Sequence, residues 1–136
     1  MHDDRFHPAY FGTHFRVAEP LPSWPASFTI ITGHTTTGEE WSDDENQQAD
    51  VALRAVVEAH GRWFHRVTGF DPATQHAEPG WALCCTIIEA LELGRRFRQD
   101  AVFMVTNDEL TVHSCRDGAQ ATVGRFSDRV RAAVGP

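Results

Sequence analysis

The chain contains no lysine: all 12 of its basic residues are arginine, set against 19 acidic residues for a formal net charge of −7. That balance lacks the positive footprint a nucleic-acid backbone requires, so no nucleic-acid partner is expected. The one basic cluster, Arg95, Arg96 and Arg98, is too small to reverse it. Long apolar runs are missing as well. None approaches the roughly 20 residues that cross a bilayer, so no membrane association is expected. Cysteine is limited to Cys84, Cys85 and Cys115. Adjacent cysteines rarely bridge each other, and an odd count does not read as a disulfide framework. Buried, reduced thiols are the ordinary reading.

Several catalytic signatures are also missing. There is no CxxC pair, no HxH, HExxH or helical HxxxH, and so no support for a metal or cofactor. The spacing Gly33-x-x-x-x-Gly38 lacks the GK[ST] ending of a phosphate loop, and Glu39 and Glu40 follow it with charge that opposes a phosphate. GxSxG is absent, which removes an α/β-hydrolase reading. The segment Met1-His2-Asp3-Asp4-Arg5 carries neither a basic region nor an apolar stretch of secretory type, so a cytoplasmic location is the expectation.

What remains is ordinary globular composition, 41% hydrophobic and 23% charged over 136 residues. This suits one domain with one core. Residues 1–9 read as a flexible N-terminus, 10–115 as the domain, and 116–136 as a tail with at most a short helix after Ser127. Tyr10 to Val17 alternates loosely as a first strand, and Phe28-Thr29-Ile30-Ile31-Thr32 is a clear second. The three prolines between Glu19 and Pro25 exclude helix and central strand there. Ser42-Asp43-Asp44-Glu45 is a capping box, followed by Ala49, Ala52, Leu53, Val56 and Val57 on one helical stripe, with Gly61 as the stop. Trp63 to Thr68 and Trp81 to Cys85 read as strands separated by a loop over Gly69 to Gly80. Thr86-Ile87-Ile88-Glu89 repeats the capping box and opens a helix to about Arg98. Gly94 within that helix implies close packing against the sheet. Ala101 to Val105 and Leu110 to Cys115 form a hairpin about Asn107-Asp108. The predicted class is α+β: a mostly antiparallel sheet in the order β-β-α-β-β-α-β-β, with two amphipathic helices on one face.

An ordered series of segments gives this pattern a relative. "FTIITG" leads into "SDDENQQADVALRAVV", then "RVTGFDPATQHAEPGWAL", "EALELGRRFRQDAVF" and a closing hairpin ending in Cys115. The most characteristic pieces are Glu45-Asn46, Gly69-x-Asp71, Glu78-Pro79 and Leu93-Gly94-x-x-Phe97-x-Gln99-x-Ala101. Over Tyr10 to Cys115 the chain resembles a bacterial family, domain of unknown function 3293. It departs from that pattern at Gly33-His34-Thr35-Thr36, where an Asn-Pro-like turn is common. The resemblance implies a small bacterial α+β domain and supplies no activity.

The residues themselves nominate one segment above others. The expected loop 69–80 carries Asp71, His76 and Glu78, and loops on rigid scaffolds are where ligand and catalytic groups gather. Carboxylate and imidazole together can act as an acid/base pair or as metal ligands. The plainer alternative has Asp71 forming a turn before Pro72, His76 in solvent and Glu78 capping amides. Cys85, next to the predicted cap Thr86, is the best-placed thiol for a nucleophile, against a plainer role as buried strand. His34, Glu45, Asn46 and Gln99 are the further ligand-binding candidates. The sequence therefore favours a non-catalytic interaction or small-ligand-binding domain, with an unknown protein or small molecule as partner. A small enzyme using Asp71, His76 and Glu78 is the alternative. The edge of an open sheet offers a route to a homodimer.

Overall fold

Pairing of apolar, β-branched segments builds the molecule from its middle outward. The computed structural model describes residues 6–33 and 42–132. The strands are β1 (His14–Val17), β2 (Ser27–Thr32), β3 (Phe64–Phe70), β4 (Ala77–Leu83), β5 (Ala101–Thr106), β6 (Glu109–Ser114), β7 (Gln120–Arg125) and β8 (Val130–Ala132). Helix α1 (Asp43–Ala59) lies between β2 and β3, and α2 (Ile87–Arg96) between β4 and β5. Among the described residues the strands form one sheet in the order β7-β6-β5-β2-β4-β3-β1-β8. Every recorded pairing is antiparallel except that of β1 with β8. The class is therefore α+β with a mostly antiparallel sheet.

The first eight elements follow the order read from the sequence, and two strands then extend it. The segment expected as a tail supplies β7, which pairs with β6, and β8, which pairs with β1. The helical feature near Ser127 is a single 3-10 turn, Phe126–Asp128, with Phe126 buried. Val123, Phe126 and Val130 pack on the core, which is what holds this Gly- and Arg-containing stretch in place. At the other end, the alternation read over Tyr10–Val17 is split. Pro8–Gly12 forms a 3-10 turn that begins at a proline, capped by the His7 side chain, and the strand starts only at His14.

Both helices start as their sequences dictate. Ser42 and Thr86 each accept a hydrogen bond from the amide three residues on, and the Glu45 and Glu89 carboxylates each accept one from the cap amide. Gly61 at φ 66° ends α1, the left-handed position that glycine occupies without a side-chain penalty. The β5–β6 turn places Asn107 and Asp108 at φ 47° and 72°, the geometry of a tight primed turn.

Alternate residues of the central strands fall into two separate buried clusters. One joins Ile31, Trp81, Leu83 and Val102 with Leu53 and Val57 of α1 and Ala90 and Leu93 of α2. The other gathers Phe15, Phe28, Ile30, Val67, Ala82, Val105, Leu110 and Phe126, with no residue of α1 or α2 among them. Because both sets are buried, β2 reads as a continuous apolar run rather than an alternating one. Gly94 sits where α2 meets β5. A Cβ added there would lie 2.5 Å from Cys115 Sγ and 3.0 Å from Val102 Cγ1. No helix among the described residues is long and apolar enough to cross a membrane.

Candidate functional site

Beside the cluster that includes Phe15, Ile30 and Val67, the structure carries a concave pocket of about 500 Å³. That volume lies within the range of small-molecule sites, roughly 300–1,000 Å³. Five strands contribute to its walls: Phe15 of β1, Ile30 and Thr32 of β2, Gly69 and Phe70 of β3, Glu78 and Gly80 of β4, and Phe103 of β5. Tyr10 and His7 close it from the N-terminal turn, although residues up to 9 were expected to be flexible; Phe6 is buried as well. The cavity exists partly because glycine faces it. Gly69 pairs with Glu78, and Gly80 pairs with both Val67 and Thr32. A Cβ at Gly80 would meet the Ile31 carbonyl oxygen at 2.7 Å, so glycine is required for β2 and β4 to approach there.

Four sequence-nominated residues converge on this pocket: Asp71, His76, Glu78 and Gln99 all line it. The loop expected over 69–80 is shorter than that, however. Strand β3 runs to Phe70 and β4 begins at Ala77. Glu78 is therefore fixed on a strand, with Pro79 tolerated because the β2 ladder ends at Gly80. The Thr32 hydroxyl donates to the Pro79 carbonyl at 2.7 Å and ties the two strand ends together. The connection from 71 to 76 is a tight turn. The Asp71 amide donates to the His76 carbonyl at 2.9 Å, and the Gln75 amide donates to the Asp71 carbonyl at 2.7 Å. Asp71 Oδ1 accepts from the Ala73 amide at 2.8 Å, so this carboxylate takes the turn-forming role proposed as its plainer reading.

Glu78 differs from Asp71. Its side chain is only 22% exposed, and Oε1 is buried with no hydrogen-bond partner. The nearest counter-group is His76 Nε2 at 3.8 Å, an ion-pair distance beyond hydrogen bonding, on a side chain 71% exposed. Burial in apolar surroundings disfavours the charged carboxylate, and the neighbouring imidazole offsets this only in part. The Glu78 pKa is pushed up from 4.5 to about 6. Gln99, on the turn between α2 and β5, is buried, and its side-chain amide donates to the Phe97 carbonyl at 3.1 Å.

The remaining nominees lie elsewhere. Cys85 is not among the lining residues. Its Sγ is 3.2 Å from Thr29 Oγ1, and burial raises the thiol's pKa, the opposite of what a nucleophile needs. Cys84 is also raised by burial, and Cys115 is pushed to about 11. Glu45 closes its capping box with Ser42, Asn46 gives its amide to the Ser42 carbonyl, and neither lines the pocket. His34 lies outside the described residues. Among the described residues no three His, Cys, Asp or Glu side chains are grouped to hold a metal ion.

The aromatic wall was not picked out from the sequence as part of a site. Phe15 meets Phe103 edge-on at 5.4 Å, as core rings do. The fold brings Tyr10, Phe15 and Phe103 to the same cavity as Glu78.

Comparison with known proteins gives one match. Residues 31–102 fit the model of a family described as a protein of unknown function, DUF3293. No curated protein and no solved structure matches the chain.

Proposed function

The chain belongs to the DUF3293 family, whose description carries no activity, and from its geometry we propose that it is a small-ligand-binding domain using the pocket beside the cluster that includes Phe15, Ile30 and Val67. One observation carries this reading: a cavity of about 500 Å³ with aromatic walls also receives a nearly buried carboxylate, Glu78, held on a strand. An apolar enclosure with a few fixed polar groups is the usual composition of such a site. Strand residues of the sheet, together with the turns at its rim, set its shape.

Acid/base catalysis is the second reading. It is favoured by the raised proton affinity of Glu78 beside His76. Its proposed set is thinner than first drawn, since Asp71 is engaged in its own turn and Cys85 lies outside the pocket.

The test is a ligand-detected NMR screen of small aromatic and aliphatic fragments against the wild type and Gly69→Leu. A Cβ at Gly69 meets only ordinary contacts, Thr13 Cγ2 at 3.6 Å and Phe15 Cε1 at 3.8 Å, so the strand accepts a side chain that intrudes on the cavity. Fragments that bind the wild type and lose at least tenfold in affinity to folded Gly69→Leu are expected. Binding that is indifferent to the substitution, or no binding at all, would contradict the assignment.

A further inference from the structure

Resting on that reading of the pocket, we infer that its ligand is an organic cation: a protonated amine or amidine on an aromatic or aliphatic body, with the nitrogen directed at Glu78. The argument begins with sign. Among the described residues, the charged or ionisable side chains lining the cavity are His7, Tyr10, Asp71, His76 and Glu78, and no arginine is among them. Two carboxylates therefore line the space, with no arginine among its described lining residues. An anionic ligand would meet repulsion and no counter-ion. A neutral ligand without a donor would leave the carboxylate as it stands.

The second step is the carboxylate itself. Glu78 Oε1 is buried without a hydrogen-bond donor, and His76 approaches no closer than 3.8 Å. A buried acceptor left unsatisfied is unfavourable, more so when it is charged. An N–H donor carrying positive charge relieves both deficits at once, as a charge-assisted hydrogen bond and as a counter-ion. Asp71 cannot serve equally, because its Oδ1 is committed to the Ala73 amide.

The third step is the wall. Tyr10, Phe15 and Phe103 offer ring surface around the same space, whereas the Phe70 ring is already approached by Arg16 at 5.2 Å and Arg131 at 5.8 Å. Aromatic faces attract cations and cover apolar carbon, so the surface that holds a ligand body also tolerates its charge. The rest of the protein already pairs arginines with rings in this way. The Arg66 guanidinium, for example, lies 4.5 Å from the Trp81 ring centroid.

The experiment compares three matched probes at neutral pH by protein-detected NMR titration: phenethylamine (cation), 2-phenylethanol (neutral) and 3-phenylpropanoate (anion). The wild type is expected to bind phenethylamine at least tenfold more tightly than 2-phenylethanol, and 3-phenylpropanoate most weakly. Glu78→Gln should bring the amine and the alcohol to within about twofold of each other, while Asp71→Asn, which keeps the turn acceptor, should leave the preference in place. Equal binding of amine and alcohol to the wild type, or preference for the anion, would overturn the cation assignment and leave the pocket reading standing. Loss of the preference in Asp71→Asn but not in Glu78→Gln would overturn the role given to Glu78. If none of the three binds while other fragments bind in a Gly69-sensitive way, the cation assignment alone fails. If no fragment of any kind binds, both fail.

Discussion

Replacing Glu78 by glutamine should stabilise the folded protein, and only above about pH 5. The folded chain holds the Glu78 proton up to about pH 6, whereas an exposed carboxyl releases it near 4.5. Below 4.5 both states are protonated and burial carries no charge penalty. Between 4.5 and 6 the unfolded chain ionises first, so stability falls as pH rises. Above 6 the full difference applies, about 2 kcal/mol for the distance between those two values. Glutamine has nearly the same shape and never ionises. Its amide is still a buried polar group, which offsets part of the gain. The expected net effect is about 1–2 kcal/mol of added stability at pH 7.5, or a rise in Tm of about 3–8 °C for a chain of this size. At pH 4.5 little or no gain should remain. Urea unfolding followed by tryptophan fluorescence, repeated from pH 4.5 to 8, measures this directly. If Glu78→Gln is neutral or destabilising at pH 7.5, or if its effect does not change with pH, burial of an unpaired charge at Glu78 is the wrong account.

Gly94→Ala should destabilise by about 1–2 kcal/mol despite alanine's better helix propensity. The added methyl meets Cys115 Sγ and Val102 Cγ1 within 3.0 Å, and overpacking costs more than the roughly 1 kcal/mol that propensity returns. Adding Cys115→Ala should recover part of the loss in a denaturation series; a purely additive pair would contradict the contact argument. In thiol titration with a chromogenic disulfide at pH 7, all three cysteines of the native protein should react slowly and rapidly only after unfolding. Fast labelling of Cys85 in the folded state would show an activated thiol and return it to the list of nucleophiles.

Local chemistry made the elements legible where one or two side chains decide the outcome. Both helix starts could be read because a Ser or Thr with Glu three residues on closes the same hydrogen-bonded box wherever it occurs. The tight turn at Asn107-Asp108 and the stop at Gly61 follow from backbone freedom alone. The Arg- and Gly-containing C-terminal segment misled because its strands are specified by their partners, for β7 the neighbouring β6 and for β8 the distant β1. Leu110, Thr111 and Val112 of β6 hold β7, and Phe15 to Val17 of β1 hold β8. No local pattern in Gln120–Arg125 carries that information, since strand propensity depends on what the strand packs against.

The site divides in the same way. Asp71, His76, Glu78 and Gln99 were nominated by residue type, and the fold brings them to one cavity. Their different roles could not be separated from composition. Asp71 and Glu78 are both acidic residues a step from a proline, but one is folded into a turn and the other is buried on a strand. The aromatic wall was invisible because a ring facing a cavity and a ring facing the core look the same in a strand.

Direct observation of the Glu78 carboxyl carbon by NMR, titrated with and without saturating phenethylamine, tests the central claim most closely. The account predicts a midpoint near pH 6 in the free protein, falling to 4.5 or below once the ammonium group sits against the carboxylate. A midpoint near 4.5 in the free protein that the amine leaves unmoved would contradict it.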